Sequence, residues 1–240
     1  AGHDMTVADF EVSARVSAPA MGRPDLSVGE RIYEAVRRTH AATGQNTNLG
    51  IVLLCAPLAQ AALGDASIPL RERIRGVLDA LDVADAELAF RAIRLARPGG
   101  LGASRRHDVS APATVTLRAA MAEARNRDRI AAQYVNGYAD IFELGLPRLR
   151  AGLARWKQES WATTLAYMGF LARFPDSHIA RKFGVAAAES VRLSVAPLER
   201  RLAASENPAA LSAELMALDA KLKAAGMNPG TSADLTVASL

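Results

Sequence analysis

Leu49-Gly50-Ile51-Val52-Leu53-Leu54-Cys55-Ala56-Pro57-Leu58-Ala59-Gln60-Ala61-Ala62-Leu63 is the most apolar stretch of the chain, and its reading decides the fold. It carries no charge, so it belongs in a protein core or in a bilayer. It is shorter than the ~20 residues a membrane-spanning helix needs, and it contains Pro57 and Gln60. The stretch therefore predicts a buried central helix over about 48–64, stopped by Gly64, in an all-α protein with no membrane partner.

Outward from this helix the periodicity stays helical. Thr6 with Asp9, and Ser27 with Glu30, have the spacing of capping boxes, and they start helices at about 7–19 and 28–42. Pro19 and the Gly22-Arg23-Pro24 turn separate the two. Pro69 opens a helix at about 70–80, and Asp82 or Asp85 starts another that runs to about 96. Pro98-Gly99-Gly100-Leu101-Gly102 reads as a flexible connector, since no strand precedes it and no Gly-Lys-Ser/Thr follows. Helices resume at about 113–125, 127–143, 147–156 and 159–173, and Asn207-Pro208 opens one that ends near Gly226. No alternating β-branched run is long enough for a strand. With no repeat and no low-complexity linker, the expectation is one compact all-α domain over residues 1–240.

Composition narrows the class. Half of the residues are hydrophobic but only 5% are aromatic, so the core is built from Ala, Leu, Val and Ile. Alanine is the best helix former and takes little room at a helix crossing, which favours closely packed helices. The 29 basic and 25 acidic residues give a formal charge of +4. Lysine occurs only at Lys157, Lys182, Lys221 and Lys223, so the basic residues are mostly arginine. The charges are scattered and stacking aromatics are scarce, which argues against a nucleic-acid partner. Arginine suits bidentate contact with phosphate. The single Cys55 excludes a disulfide within the chain and any cysteine-based metal site. No basic, then apolar, then small-residue leader begins the sequence, so a cytoplasmic protein is expected. A homo-oligomeric state stays open.

Near the C-terminal end, Asn228-Pro229-Gly230-Thr231-Ser232-Ala233-Asp234-Leu235 sets a turn and small polar residues against a carboxylate. It is either an ordinary turn with Ser232 capping a final helix, or a backbone loop narrow enough to wrap a phosphate or nucleotide. Gly44-Gln45-Asn46-Thr47-Asn48-Leu49-Gly50 stands before the apolar stretch, and Asp176-Ser177-His178-Ile179-Ala180-Arg181-Lys182-Phe183-Gly184 follows Pro175. In this order the three segments resemble the triphosphoribosyl-dephospho-CoA synthase family, whose members make a prosthetic-group precursor. Asn46, Thr47 and Gly50 match the family's first segment, Asp176 its second, and Pro229, Gly230, Ser232, Ala233 and Asp234 its last.

Three departures accompany the resemblance. Asn48 and Leu49 stand where the best-known members carry His-Lys, so a basic group is absent. Arg105-Arg106-His107-Asp108 and Arg127-Asp128-Arg129 occupy the region of a His-Gly-rich segment. The chain starts at Ala1-Gly2-His3-Asp4-Met5, about where the family's Lys-Pro-Gly segment ends, and the expectation is that an N-terminal piece is missing.

The resemblance implies an enzyme: a nucleotide-dependent transferase in cofactor assembly. It would move a triphosphoribosyl group from ATP to a hydroxyl of dephospho-CoA, with adenine leaving. Such a reaction needs a base at the hydroxyl, a carboxylate near the positive charge growing on the sugar, and Mg²⁺ with basic or backbone donors for the triphosphate. Asp176, Asp234 and Asp128 are the candidate catalytic carboxylates, with Asp176 and Asp234 also the candidate Mg²⁺ ligands. Asn46, Thr47, Asn48, Arg127, Arg181, Lys182, Gly230 and Ser232 are the candidates for nucleotide and phosphate. Each has a structural alternative: Asp176 as the N-cap of a helix, Asn46 to Asn48 as caps of the apolar helix, and Arg181 or Lys182 as a solvated charge. Histidine is the side chain suited to acid–base work near neutral pH, but no pattern assigns His40, His107 or His178 a role. The departures keep two other readings open. One is a branch that uses a different acceptor, such as a pterin or furan carrier precursor. The other is a helical binding protein without turnover.

Overall fold

Thr6 and Ser27 do cap the first two helices. The Thr6 N–H donates to Asp9 Oδ2 (2.7 Å) and the Asp9 N–H returns to Thr6 Oγ1 (3.4 Å), which starts α1, Val7–Met21. Ser27 and Glu30 make the same exchange at 2.8 and 3.2 Å and start α2, Val28–Thr43. Pro19 lies inside α1, and the break falls at Gly22. The computed structural model describes residues 5–104 and 106–240. Ala1–Asp4 and Arg105 of the basic loop lie outside the described residues.

The chain divides into two compact units, Ala1–Tyr138 and Ala139–Leu240. In the first, α3 (Leu49–Ala62), α4 (Leu70–Ala80), α5 (Val83–Ala96), α6 (Leu117–Ala124) and α7 (Arg129–Asn136) follow α1 and α2. In the second, a π-helical turn at Ile141–Gly145 leads into α8 (Leu146–Trp156), α9 (Glu159–Arg173), α10 (Ser177–Phe183) and α11 (Val185–Ala204). A 3₁₀ turn at Pro208–Leu211, α12 (Ser212–Ala224) and α13 (Gly230–Val237) complete it. Among the described residues there is no strand, and no helix is long and apolar enough to cross a membrane.

Alanine sets the spacing in the first unit. Ala35 of α2 and Ala86, Ala89 and Ala92 of α5 are fully buried, and α2 packs against both α1 and α5. The approach is closest at Gly29, where a Cβ would fall 2.5 Å from the Asp85 Cα. Its N–H donates to Asp85 Oδ1 at 2.7 Å, and Asp85 also closes a capping box with Asp82. Only glycine fits that crossing.

Helix α3 is interrupted by its own proline. Pro57 has no N–H, so the Leu53 carbonyl one turn earlier loses its intrahelical donor. Tyr134, fully buried on α7, donates its hydroxyl to that carbonyl at 2.6 Å. Tyr138 does the same to Leu54 at 2.9 Å. The two rings lie 6.3 Å apart, tilted against each other. To place the second phenol, the backbone turns left-handed at Gly137 (φ 67°) and again at Tyr138 (φ 61°). A non-glycine residue held there is strained by about 1–3 kcal/mol, which the buried ring and its hydrogen bond offset. The single helix expected over about 127–143 therefore stops at Asn136.

The second unit differs most from expectation at α11, its longest helix. The sequence reading assigns no helix to residues 185–204; in the structure Gly184 (φ 90°) starts one and Pro197 is accommodated within it. Its inner face presents Val191, Val195 and Leu202 to Met168 and Leu171 of α9 and Ile179 of α10. Glu199, on the same helix and buried, pairs with Arg148 at 2.6 Å.

Arginine acquires a structural explanation here. The fully buried Arg31 donates to Ala20 O and Met21 O at the end of α1, and to Leu26 O and Gln60 Oε1. Arg73 donates to Ala61 O, Ala62 O and Gly64 O at the end of α3, and Arg155 to Ala203 O at the end of α11. A fork of donors on a positive charge satisfies orphaned carbonyls at the negative end of a helix.

Replacing Tyr134 by Phe should orphan the Leu53 carbonyl and destabilise the protein by about 1–3 kcal/mol, the penalty of one unsatisfied buried acceptor. In a Pro57→Ala background the helix regains its own N–H, and the same substitution should cost clearly less. Chemical denaturation of the four variants of this cycle measures the coupling; equal losses in both backgrounds would show that the phenol does not replace the proline's missing donor.

Candidate functional site

The site is built from the N-terminal ends of α10 and α13. Pro175 ends the preceding helix and Asp176 takes an extended backbone (φ −64°, ψ 124°) as the N-cap of α10. Its Oδ1 accepts from the His178 N–H (2.9 Å) and the Ile179 N–H (3.2 Å). Its Oδ2 reaches across to α13, accepting from the Ser232 N–H (2.7 Å) and the Ser232 hydroxyl (2.8 Å). One carboxylate thus joins the starts of two helices 56 residues apart. Asp176 is only 2% exposed, and Ser177, Thr231 and Ser232 are buried beside it. Burial pushes the Asp176 pKa above the ordinary carboxylate value, against the pull of its four donors. Burial likewise raises the Tyr167 phenol on α9, with the Asp176 charge adding to the effect.

Ser232 is not the cap of the last helix. Pro229 holds that position and Ser232 is the third helical residue, its side chain committed to Asp176. Gly230 opens α13 because the His178 ring occupies the space beside it: a Cβ there would fall 2.4 Å from Nδ1. His178 is partly exposed, as is Asp234. Gly230 and Asp234 are four residues apart and share one face of α13. His178, Arg181 and Lys182 share one side of α10 by the same spacing, Arg181 half-buried and Lys182 exposed. The tertiary structure thus gathers Asp176, Ser232, Gly230 and His178 at one place, and it sets Asp234, Arg181 and Lys182 on the faces adjoining it.

A carboxylate offers about four lone-pair positions, and all four of Asp176 are taken by protein donors. Asp176 therefore does not fit the role of Mg²⁺ ligand, nor that of a base meeting substrate. Among the described residues, no group of three His, Cys, Asp or Glu side chains is arranged to hold a metal. Asp234, the other carboxylate of that pair, is partly exposed on α13.

The candidates of the first unit are also drawn inward. Thr47 and Asn48 are buried. Thr47 Oγ1 lies 2.5 Å from the Ser13 hydroxyl, and Asn48 Nδ2 donates to Thr39 Oγ1 (3.0 Å) and Ser17 Oγ (3.4 Å). Together they tie α1, α2 and the start of α3. Asn46, rather than Asn48, supplies the side-chain cap, its Oδ1 accepting from the Leu49 N–H at 3.2 Å. Asp128 is the N-cap of α7, accepting from Ile130 and Ala131, and Arg127 before it is exposed. Gln133 is fully buried and bonds Arg129 O, so it lines no open pocket wall. Sequence reasoning passed over His178 because a lone histidine has no pattern; the signal was the glycine that faces it.

With this geometry established, three comparisons bear on the chain. The model of the ATP:dephospho-CoA triphosphoribosyl transferase family matches residues 1–240. A solved structure from Archaeoglobus fulgidus, provisionally named a triphosphoribosyl-dephospho-CoA synthase, superposes with a TM-score of 0.70 at 23% identity, covering 96% of this chain and 95% of the other. At that identity it shows a shared fold. No curated protein matches.

Asp176→Asn should destabilise the fold, because an amide has one oxygen and turns its NH₂ toward donors. Leaving one buried pair unsatisfied predicts a loss of about 2–4 kcal/mol. Ser232→Ala removes one of the four donors and should lose about 1 kcal/mol. Urea denaturation measures both, and an Asn variant as stable as the parent would show that the carboxylate does not hold the two helices.

Proposed function

Since the chain belongs to the ATP:dephospho-CoA triphosphoribosyl transferase family, we propose that ATP and dephospho-CoA are its substrates and that the α10–α13 clasp of the second unit carries the transfer. Membership makes it a triphosphoribosyl-dephospho-CoA synthase-like transferase of cofactor assembly. The observation that supports the site is the Asp176–Ser232 tie, which brings two of the family-like segments together around Gly230.

In this reading the triphosphate, close to four negative charges, meets Arg181 and Lys182, which hold it as charge-assisted hydrogen-bond donors. Magnesium would arrive with ATP, and Asp234 is the carboxylate of α13 that would hold it. As the bond from the ribose C1′ to adenine N9 breaks, positive charge grows on the sugar. The Asp234 carboxylate provides a fixed negative charge to stabilise it. Asp176 acts at one remove, keeping α10 and α13 in register so that the groups they carry are already oriented. ATP and dephospho-CoA are cytoplasmic metabolites, and the reading is of a cytoplasmic enzyme.

One observation favours a second acceptor. Leu49, where the resemblance leads one to expect a basic residue, is buried at the start of α3, and Asn48 beside it is engaged with Thr39 and Ser17. No cation stands there to meet an acceptor phosphate. A pterin or furan carrier precursor with fewer phosphates suits that change.

Incubation with MgATP and dephospho-CoA should release adenine and yield an adduct heavier by the triphosphoribosyl group, both seen by mass spectrometry. Lys182→Ala and Arg181→Ala should each raise the KM for ATP about tenfold, equivalent to ~1.4 kcal/mol, with a smaller change in kcat. Adenine release only with a different acceptor would replace dephospho-CoA in this reading; unchanged KM in both variants would move the phosphates elsewhere.

A further inference from the structure

Residues 97–116 join α5 to α6 without a helix of their own. Among the described residues of this stretch none is buried, and Val109 and Val115 are half-buried. What holds the stretch to the helix body is mainly polar. We infer that residues 106–116 are a strap that lifts from α5 as one piece, hinged at Gly100 and Gly102 and latched by the Glu87–Arg94 pair.

The latch is built on α5. Glu87 and Arg94 lie two turns apart on one face of that helix. Arg94 Nη2 donates to Glu87 Oε1 at 3.0 Å, and the remaining atoms of the pair take hold of the strap. Arg94 Nη1 donates to the Val109 carbonyl, and Glu87 Oε2 accepts from the Ala113 N–H at 2.9 Å. The Ala113 N–H first, and then Arg94, hold the Glu87 carboxyl below its ordinary range. Both side chains are 36% exposed, and ion pairs this open to water contribute ~1 kcal/mol or less. Arg106, 3.6 Å from Glu123 of α6, adds a contact of the same kind. At the far end the Leu117 N–H is bound to Asp82 O at 3.1 Å and the Leu117 side chain is fully buried, so the strap is anchored where α6 begins. A segment fastened mainly by exposed polar contacts belongs to the low-stability end of a fold and opens without unfolding the core beneath it.

The piece that moves is preformed. Asp108 Oδ2 accepts from the Ser104 N–H at 2.5 Å and Oδ1 from the Ser110 N–H at 2.9 Å, while the Ser104 hydroxyl donates to Arg106 O at 2.7 Å. The Ser104 N–H, followed by Ser110, holds the Asp108 carboxyl down to about 2. The turn they close contains a left-handed His107 (φ 51°). Ahead of it stands the hinge. Gly100 (φ 73°) and Gly102 (φ 66°) take the left-handed backbone that glycine adopts without strain, and nothing lies within 4 Å of where a Gly102 Cβ would sit. Packing does not block a swing there. Opening carries Arg106 and His107 away from α5 and releases Arg94 beside Arg91, whose guanidinium stacks 4.5 Å over the Tyr33 ring.

Amide hydrogen exchange of the full chain, resolved by NMR, tests the strap. In the parent, the bound Ala113 N–H should be about tenfold or more less protected than Ala89 and Phe90 in the body of α5. Arg94→Ala, which touches Val109 and not Ala113, should speed exchange at Ala113 about fivefold while Ala89 and Phe90 stay as they were. Ser110 should also be unchanged, because Asp108 keeps the tip closed as the strap lifts. Trypsin cleavage after Arg106 at limiting protease should rise in Arg94→Ala and Glu87→Ala alike, and the double variant should be cut no faster than the quicker single one. Ala113 exchanging in step with Ala89 and Phe90 overturns the inference, since the strap then opens only with the helix. Ala113 exchange in Arg94→Ala within twofold of the parent overturns it as well, as does additive acceleration in the double variant, which would mean two separate contacts in place of one latch.

Discussion

Asp176 brings a negative charge almost wholly out of water, a transfer whose effective penalty in a protein is several kcal/mol. The second unit is arranged so that both oxygens are answered: Oδ1 by the first turn of α10 and Oδ2 by the first turn of α13. Hydrogen bonds to a charged group contribute more than neutral ones, about 1.5–3 kcal/mol each, and a half-satisfied carboxylate would be worse than none. The constraint therefore propagates. Ser232 must be the third residue of its helix for its N–H and hydroxyl to converge on one oxygen, and this fixes where α13 begins. Gly230 is then forced to lie under His178, and the relative rotation of the two helices decides which side chains share a face.

The first unit obeys the same accounting of backbone groups with different parts. Pro57 removes a donor inside the most apolar helix, and Tyr134 returns one from a helix far along the chain. Buried Arg31 and half-buried Arg73 close the carbonyl ends of α1 and α3. A core poor in aromatics brings helices close through alanine and glycine, and closeness leaves no room for water to satisfy what the helices do not. Tyr134, Arg31 and Arg73 are placed where a backbone carbonyl would otherwise be orphaned.

This economy alters how the candidate residues are to be understood. Thr47, Asn48 and Asp176 belong to the segments that carry the family resemblance, yet their polar atoms are spent holding helices together. Residues of a shared motif do not all touch substrate; some build the frame on which the reacting groups stand. In the second unit His178, Arg181 and Lys182 on α10 and Asp234 on α13 adjoin that frame without being fully buried.

Much of the fold was legible in the sequence because it is written in local terms. Thr6, Ser27 and Asp82 start helices through contacts with residues three positions on, and the uncharged stretch from Leu49 to Leu63 could only be a buried helix. Local rules also explain the errors. No helix was expected over residues 185–204, because α11 carries Pro197 in its interior and is held by packing against α9 and α10. The helix expected to continue past Asn136 ends there because Tyr138 is pulled into a left-handed turn by a carbonyl 84 positions away. The resemblance singled out Asp176, Gly230 and Ser232, but nothing in the sequence joined them or involved His178. That required two helix ends to be brought together across 56 residues, and only the folded chain decides which groups a buried charge gathers around itself.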